Sequence, residues 1–283
     1  MDYRQAIKST VIYSSFFDFP LFPEEIHFWL IYRHPISLDK IKKHLPRELS
    51  PQEQKRRQFL LQNSLAKIDL THRLAKVLKY LPGLRFVGLT GSVAAKNSKP
   101  QDDIDLLIIT APHVLWLVRP FVLLLISLFF RRRHPKENPA QATNAFCPNL
   151  WLDTTSFSVP KNKRNLYTAH EILQVLPVLD KDQTHQRFLQ ANSWSSQFLA
   201  NAYQARIQES SMSRVIPAKA GIHQIIPKSS TFFLFLAPFN YLFFFLQFLY
   251  MFPKRTSEVV HPHAAFLHTT NFSEQLDHFL GRS

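Results

Sequence analysis

The sequence predicts an α/β protein (α+β) in which a small mixed sheet is flanked by a helical N-terminal region and a helical C-terminal region. Two apolar runs of strand length, residues 84–89 and 104–109, indicate the sheet. A long amphipathic helix precedes the first run, and a very apolar helix, residues 112–130, follows the second. Hydrophobic residues make up 46% of the chain, which excludes global disorder.

The long helix has signals at both of its ends. Ser50 is placed to cap the first turn, Pro51 suits the first helical position, and Glu53 completes a capping box. Leucine and isoleucine then recur at helical spacing until Pro82 and Gly83 interrupt the pattern. These signals predict a helix that begins at Pro51 and ends just before Pro82.

The second half of the chain predicts short strands and further helices. Residues 149–152 and 157–159 have the composition of strands, joined by a turn at Asp153-Thr154-Thr155. Residues 166–176 and 182–207 have helical spacing. Five regions follow from this pattern: a helical region (1–48), a core with its leading helix (50–160), a helical region (161–207), a linker or insertion (208–230), and an apolar helix with a tail (231–283).

The first region contains three short predicted helices, which is the content of a winged-helix unit. The alternative is a helical cap on the domain that follows. A winged-helix unit would touch DNA, whereas a cap would only cover the core.

Charge and cysteine content restrict the class of protein. The formal net charge is +14, which favours anionic partners: nucleotides, nucleic acid or an anionic membrane surface. Basic clusters at residues 55–57 and 131–133 could attract nucleic acid, although no aromatic residues interleave with them. The single cysteine, Cys147, excludes an internal disulfide and a cysteine-based zinc site. We expect a cytoplasmic protein, since no secretory signal opens the sequence.

A glycine turn follows the first predicted strand. Gly91 and Ser92 stand directly after residues 84–89 and before a short predicted helix, residues 93–97. Glycine permits close approach of the backbone to phosphate oxygens, and the N–H groups at a helix start can hold those oxygens. Ser92 adds a hydroxyl donor, and Lys96 could contact the same phosphate. This turn is therefore the candidate nucleotide-binding element.

Two aspartates open the second predicted strand. Side chains alternate along a strand, so Asp103 and Asp105 share one face while Asp102 points to the other. Two adjacent carboxylates repel unless a cation lies between them. Mg²⁺ prefers a few carboxylates together with phosphate oxygens, and Mn²⁺ is an alternative. Two such ions can activate an acceptor hydroxyl and stabilise a leaving pyrophosphate.

The order strand, Gly-Ser turn, short helix and Asp-x-Asp strand resembles the core motif of the polymerase-beta-like nucleotidyltransferase superfamily. The motif covers residues 89–92 and 103–106. A looser likeness to uncharacterised bacterial nucleotidyltransferase-domain proteins extends over residues 115–119, 149–152, 166–171 and 191–194. The resemblance implies a nucleotidyltransferase core that moves a nucleoside monophosphate from a nucleoside triphosphate to an acceptor, which the sequence does not identify.

The resemblance also implies a third carboxylate on a later strand. Asp153 is the best match, because it closely follows the apolar residues 150–152. The same Asp153 also suits a hairpin turn. The competing function is a catalytically inactive module that binds nucleotide or nucleic acid. His170 and Glu171 are expected to pack against the core or support the site, and His261, His263 and His268 to lie in loops or on the surface.

The apolar residues 229–253 predict a helix that is buried in protein rather than one that crosses a bilayer. No charged residue occurs between Lys228 and Lys254, so membrane association remains the alternative. Asn240, Gln247 and Lys254 recur every seven residues and therefore lie along one side of the helix. We expect that polar side to be the edge nearest water.

Overall fold

The computed structural model describes residues 2–46, 48–134, 137–138, 141–212, 230–254, 258–267, 275–276 and 279. Six strands in these residues form one mixed sheet: β1 (Leu84–Leu89), β2 (Ile104–Thr110), β3 (Phe146–Asp153), β4 (Leu176–Asp180), β5 (Val259–His261) and β6 (Ala264–Phe266). The strand order is β4-β1-β2-β3-β6-β5. Only the pair β2 and β3 is parallel. The α/β class and the mixed sheet are therefore confirmed.

Helices cover both faces of this sheet. In chain order they are α1 (Tyr3–Phe16), α2 (Pro23–Phe28), α3 (Leu38–Ile41), α4 (Pro51–Leu78), α5 (Gly91–Ala94), α6 (Leu115–Phe129), α7 (Leu166–Gln174), α8 (Thr184–Ala191), α9 (Ala200–Met212), α10 (Ser230–Phe235) and α11 (Ala237–Met251). Alternation along β2 sends Ile104, Leu106 and Ile108 into the core under α4 and α6. Leu107 and Ile109 enter the opposite core, under α7 and α8. Odd-numbered residues of β2 therefore face α7.

The first half of the chain matches the sequence prediction closely. Ser50 caps α4, and the Oε2 atom of Glu53 accepts hydrogen bonds from the Ser50 N–H at 2.8 Å and from its hydroxyl at 2.7 Å. Strand β1 has the predicted bounds, and β2 is one residue longer than predicted. Helix α5 begins at Gly91, two residues earlier than predicted. Local signals suffice here because each element carries its own start and stop residues.

The second half departs from the prediction. One strand, β3, replaces the expected hairpin, and residues 157–159 are not a strand. Strand β3 runs parallel to β2 because α6 forms the connection between them. The prediction also missed β4, β5 and β6, which are short strands of three to five residues at the two sides of the sheet. Their pairing partners, rather than their own composition, make them strands.

The N-terminal region has a small core of its own. Six buried apolar residues of α1, α2, α3 and their connections pack together: Ala6, Ile7, Leu21, Ile26, Leu30 and Ile41. The three predicted helices are present, but no strand pair accompanies them within residues 2–46. Tyr32 makes a single β-bridge to Leu199, which ties the region to the start of α9. The arrangement in the described residues thus covers the core and contains no wing.

The apolar C-terminal segment forms α10 and α11, which are separated at Leu236. The prediction that it packs on the core is confirmed, since Phe244 and Phe248 lie against core residues. Its expected burial is wrong in extent, because Phe233 and Asn240 are its only buried residues in the described part of the chain. Within that part, none of the helices has the length and apolar character needed to cross a membrane. The predicted linker 208–230 begins inside α9, and residues 213–229 lie outside the described residues.

Candidate metal and nucleotide site

Asp103 and Asp105 lie together at the start of β2. A carboxylate oxygen of each aspartate and the Sγ atom of Cys147 lie within 4.8 Å of one another. Cys147 is the partner of Asp105 on the parallel strand β3. The predicted shared face of the two carboxylates is therefore present, and the arrangement fits a divalent cation held by two carboxylate ligands.

The Gly91 turn lies directly against Asp105. Gly91 has φ +60°, a conformation that side-chain-bearing residues rarely adopt, and a Cβ at this position would come within 2.6 Å of the Asp105 Oδ2 atom. The backbone N–H of Thr90, the residue before the turn, donates to the Asp105 carbonyl at 3.0 Å. The turn and the carboxylate are thus in direct contact, at a distance that a side chain on residue 91 would not permit.

A buried lysine fixes the loop between α5 and β2. The Lys67 ammonium donates to the Ser98 hydroxyl at 2.8 Å, the Lys99 carbonyl at 2.6 Å and the Asp102 carbonyl at 2.7 Å. Burial lowers the pKa of Lys67, while the carboxylates of Asp102 and Asp103 oppose that shift. These three bonds satisfy the ammonium and order the loop that delivers both aspartates to the site.

Asp102 supports the turn from the other side. Its Oδ2 atom accepts hydrogen bonds from the Ser92 hydroxyl at 3.0 Å and from the Lys99 N–H at 2.9 Å. Ser92 is therefore held by Asp102. The expectation that Asp102 points away from the site is wrong, since Asp102 lines the same cavity as Asp105. Lys96, in contrast, is exposed and is not among the residues lining that cavity, where Lys99 lies instead.

A cavity of about 350 Å³ opens between α1, the Gly91 turn and α7. Its polar lining includes Gly91, Ser92, Asp105 and Glu171. Aromatic side chains also line it: Tyr13, Phe17, Phe19, Trp29 and Tyr167. Its volume falls within the usual range for small-molecule sites, and the lining suits a ligand with both a charged part and a planar part.

Burial and like charges make Asp105 a strongly perturbed acid. Burial, Asp103 and Glu171 raise the pKa of Asp105 to about 8, while Arg133 opposes the shift. Burial also raises the pKa of Glu171 to about 7. Such shifts are typical of carboxylates that a cation or substrate group is meant to neutralise.

His170 presents a buried nitrogen beside this cavity. Its ring stacks on Tyr13 with the ring centroids 4.0 Å apart, and burial lowers the pKa of His170 to about 3, so the imidazole is neutral. Its Nε2 atom has no hydrogen-bond partner among the described residues. The expected packing role of His170 is present, and the unpaired nitrogen adds a polar group at the cavity wall.

Three residues near the aspartates were missed by the sequence analysis as parts of the site. Asn149 donates its Nδ2 hydrogen to the Asp105 Oδ1 atom at 2.6 Å. Arg133 forms an ion pair with Asp103. Cys147, which the sequence used only to exclude a disulfide and a cysteine-based zinc site, lies beside both aspartates. The parallel register of β2 and β3 brings Cys147 and Asn149 here, and that register cannot be obtained from residue spacing.

The structure places Asp153 away from the other two aspartates. It is the register partner of Thr110, five residues beyond Asp105, which corresponds to roughly 16 Å along the strand. The prediction that Asp153 joins Asp103 and Asp105 as a third catalytic and metal-binding carboxylate is therefore wrong. Because β3 runs parallel to β2, Asp153 at the end of β3 lies level with the end of β2, whereas Asp103 and Asp105 lie at the start of β2.

The hydrogen bonds of Asp153 give it a structural role. Its side chain is fully buried, and the Oδ2 atom accepts hydrogen bonds from the His113 N–H at 3.1 Å and from the His263 Nδ1 atom at 2.7 Å. The Oδ1 atom accepts from the N–H and hydroxyl of Thr155. His113, Asp153 and His263 could hold a metal by proximity. However, four protein donors already occupy the carboxylate, so these bonds explain the cluster without an ion.

We expect Asp153→Asn to lower stability and to leave nucleotide transfer unchanged. An asparagine cannot accept from all four donors, and an unsatisfied buried group costs about 1–3 kcal/mol. For a chain of this size that corresponds to a decrease in Tm of roughly 2–4 °C per kcal/mol. Melting temperature and transfer rate are measured on the same preparation. A variant with normal Tm and lost transfer would contradict the structural role.

Comparison of the chain with protein-family models, with curated proteins and with solved structures finds no match.

Proposed function

We propose that this protein is a Mg²⁺-dependent nucleotidyltransferase that moves a nucleoside monophosphate from a nucleoside triphosphate to an acceptor. The observation that carries the proposal is the contact between Gly91 and Asp105, which packs the Gly-Ser turn directly against a perturbed carboxylate. In this proposal Asp103 and Asp105 hold the cation, and triphosphate oxygens complete its coordination. The bound cation would supply charge neutralisation of the attacking and leaving oxygens.

The remaining residues have roles that follow from their contacts. Asn149 holds one oxygen of Asp105 and so directs the other oxygen toward the Gly91 turn. Lys67 and Asp102 keep the loop rigid, so the carboxylates need little reorganisation when a substrate binds. The aromatic side chains that line the cavity suit the planar base of the nucleotide.

The second candidate is a module that binds nucleotide without transferring it. One observation favours it: within the described residues, β3 offers Cys147 and Asn149 beside the aspartates where the resemblance implies a third carboxylate. Arg133 also neutralises Asp103 in the absence of a cation. A site with two carboxylates can still bind Mg²⁺ together with phosphates, which is why we favour the enzyme.

The deciding experiment uses the purified chain with each α-labelled nucleoside triphosphate and Mg²⁺, in the presence of a cell lysate that supplies acceptors. We expect label to be transferred in the wild type and not in the Asp105→Asn variant. Binding of the same nucleotide is measured by calorimetry. Tight Mg²⁺-dependent binding without label transfer would support the module and would overturn the enzyme.

A further inference from the structure

Polar groups of helices α6 and α11 meet where the two helices contact each other, and each helix also has large apolar side chains that face solvent. The Trp116 N–H, in the first turn of α6, donates to the Asn240 Oδ1 atom at 2.8 Å. Pro120, four residues after Trp116, has no N–H, and Gln247 donates to the Trp116 carbonyl at 2.8 Å in its place. Gln247 also accepts a bond from Arg119 at 2.9 Å. The polar side of α11 therefore completes the hydrogen bonding of α6.

The opposite sides of these helices carry large apolar side chains in contact with solvent. Leu128 is 65% exposed, and Leu242 and Leu246 are each 54% exposed. The outer face comprises residues of α6 and α11 at helical spacing: Phe121, Leu124, Leu128, Leu242, Leu246 and Leu249. A helix on a protein in water normally shows the reverse polarity. Continuous exposed apolar surface of this kind marks a contact with a membrane or another protein.

The charge of the surrounding chain identifies the partner. No aspartate or glutamate occurs from residue 106 to 136 or from residue 210 to 257, while lysines and arginines are present in both stretches. Trp116 contacts both Asn240 and Gln247, so the first turn of α6 lies against the part of α11 between these two residues. Arg131 follows two residues after the end of α6. Arg131 remains 50% exposed although it pairs with Glu137.

We propose that the outer face of α6 and α11 docks on the surface of an anionic lipid bilayer, with both helices lying in the interface. An apolar face flanked by basic residues is the composition of interfacial membrane helices. The 15 residues of α11 give a length of about 22 Å, which is shorter than the ~30 Å hydrocarbon core.

The test is flotation of the full chain with vesicles of phosphatidylcholine alone or of phosphatidylcholine and phosphatidylglycerol. We expect binding to the anionic vesicles that weakens as salt rises. Leu246→Glu should reduce this binding at least about tenfold, since it places a charge in the apolar contact. Leu65→Glu on α4 is the matched control, because Leu65 is 51% exposed but lies away from the outer face. The control should bind like the wild type.

Equal melting temperatures for both variants will show that each is folded. A wild-type chain that floats with neither vesicle would overturn the proposal. So would a dimer, seen by analytical ultracentrifugation, that Leu246→Glu dissociates and that floats with neither vesicle. An equal loss of flotation in the Leu65→Glu control would also overturn it, because the loss would then not depend on the outer face.

Discussion

Asp105→Asn is expected to lower nucleotide transfer by about 10²- to 10³-fold or more, because it removes a preorganised charge at the reacting phosphate. The fold should persist, since an asparagine has the same shape and can still accept the hydrogen bond from Asn149. The measurement is the rate of label transfer from the preferred nucleoside triphosphate at saturating Mg²⁺. Circular dichroism on the same sample reports the fold.

The same variant should stabilise the metal-free protein at alkaline pH. The folded-state pKa of Asp105 is about 8, above its ordinary value of 3.8. As pH rises from about 4 to 8 the unfolded chain loses this proton before the folded chain does, so the free energy of unfolding of the wild type falls. Asparagine does not titrate. With chelator present, the Tm of the variant should therefore exceed that of the wild type at pH 8, and the difference should vanish near pH 4.

Asp69→Asn provides the control for a simple change of net charge, because Asp69 is an exposed residue of α4 that pairs with Arg73 in the same helix. It should transfer label like the wild type. Retained Mg²⁺-dependent transfer in Asp105→Asn would contradict the metal assignment. A Tm that is lower than wild type at pH 8 in chelator would contradict the perturbed pKa.

Gly91→Val should weaken nucleotide binding at least about tenfold and reduce stability by about 1–3 kcal/mol. The stability cost arises because valine is strained at φ +60°. The binding cost arises because the new Cβ would meet the Asp105 carboxylate, which in the proposed function holds the cation that binds the triphosphate. Nucleotide affinity is measured by calorimetry below the melting temperature of the variant, so that binding is read on folded protein.

Ser92→Ala serves as the comparison within the same turn. It removes the hydroxyl that donates to Asp102 but adds no atom at Gly91, so the backbone N–H groups of the turn are unchanged. We expect a smaller loss of affinity than in Gly91→Val. If Gly91→Val binds nucleotide as tightly as the wild type, or if Ser92→Ala is the more damaging change, the turn does not hold phosphate through its backbone.

The elements that carry local signals could be predicted from short stretches of sequence. The capping box at Ser50, the bounds of β1, and the shared face of Asp103 and Asp105 all follow from short-range rules. Strand alternation has a period of two, so the relation between two residues on one strand is known without the rest of the protein. The Gly91 turn was also predictable from local sequence, because the strand before it and the helix after it can both be recognised from their own residues.

Contacts between residues that are distant in sequence could not be predicted in this way. The parallel pairing of β2 with β3 brings Asn149 to Asp105 and sends Asp153 to the opposite end of the strand. The neighbour that the polar side of α11 faces was also not predictable. Asn240 and Gln247 were expected to lie nearest water, but they bond to α6. The reason is that unpaired hydrogen-bond donors and acceptors of one element are satisfied by whichever element packs against it. Strand register and helix packing depend on contacts between residues that are far apart in sequence.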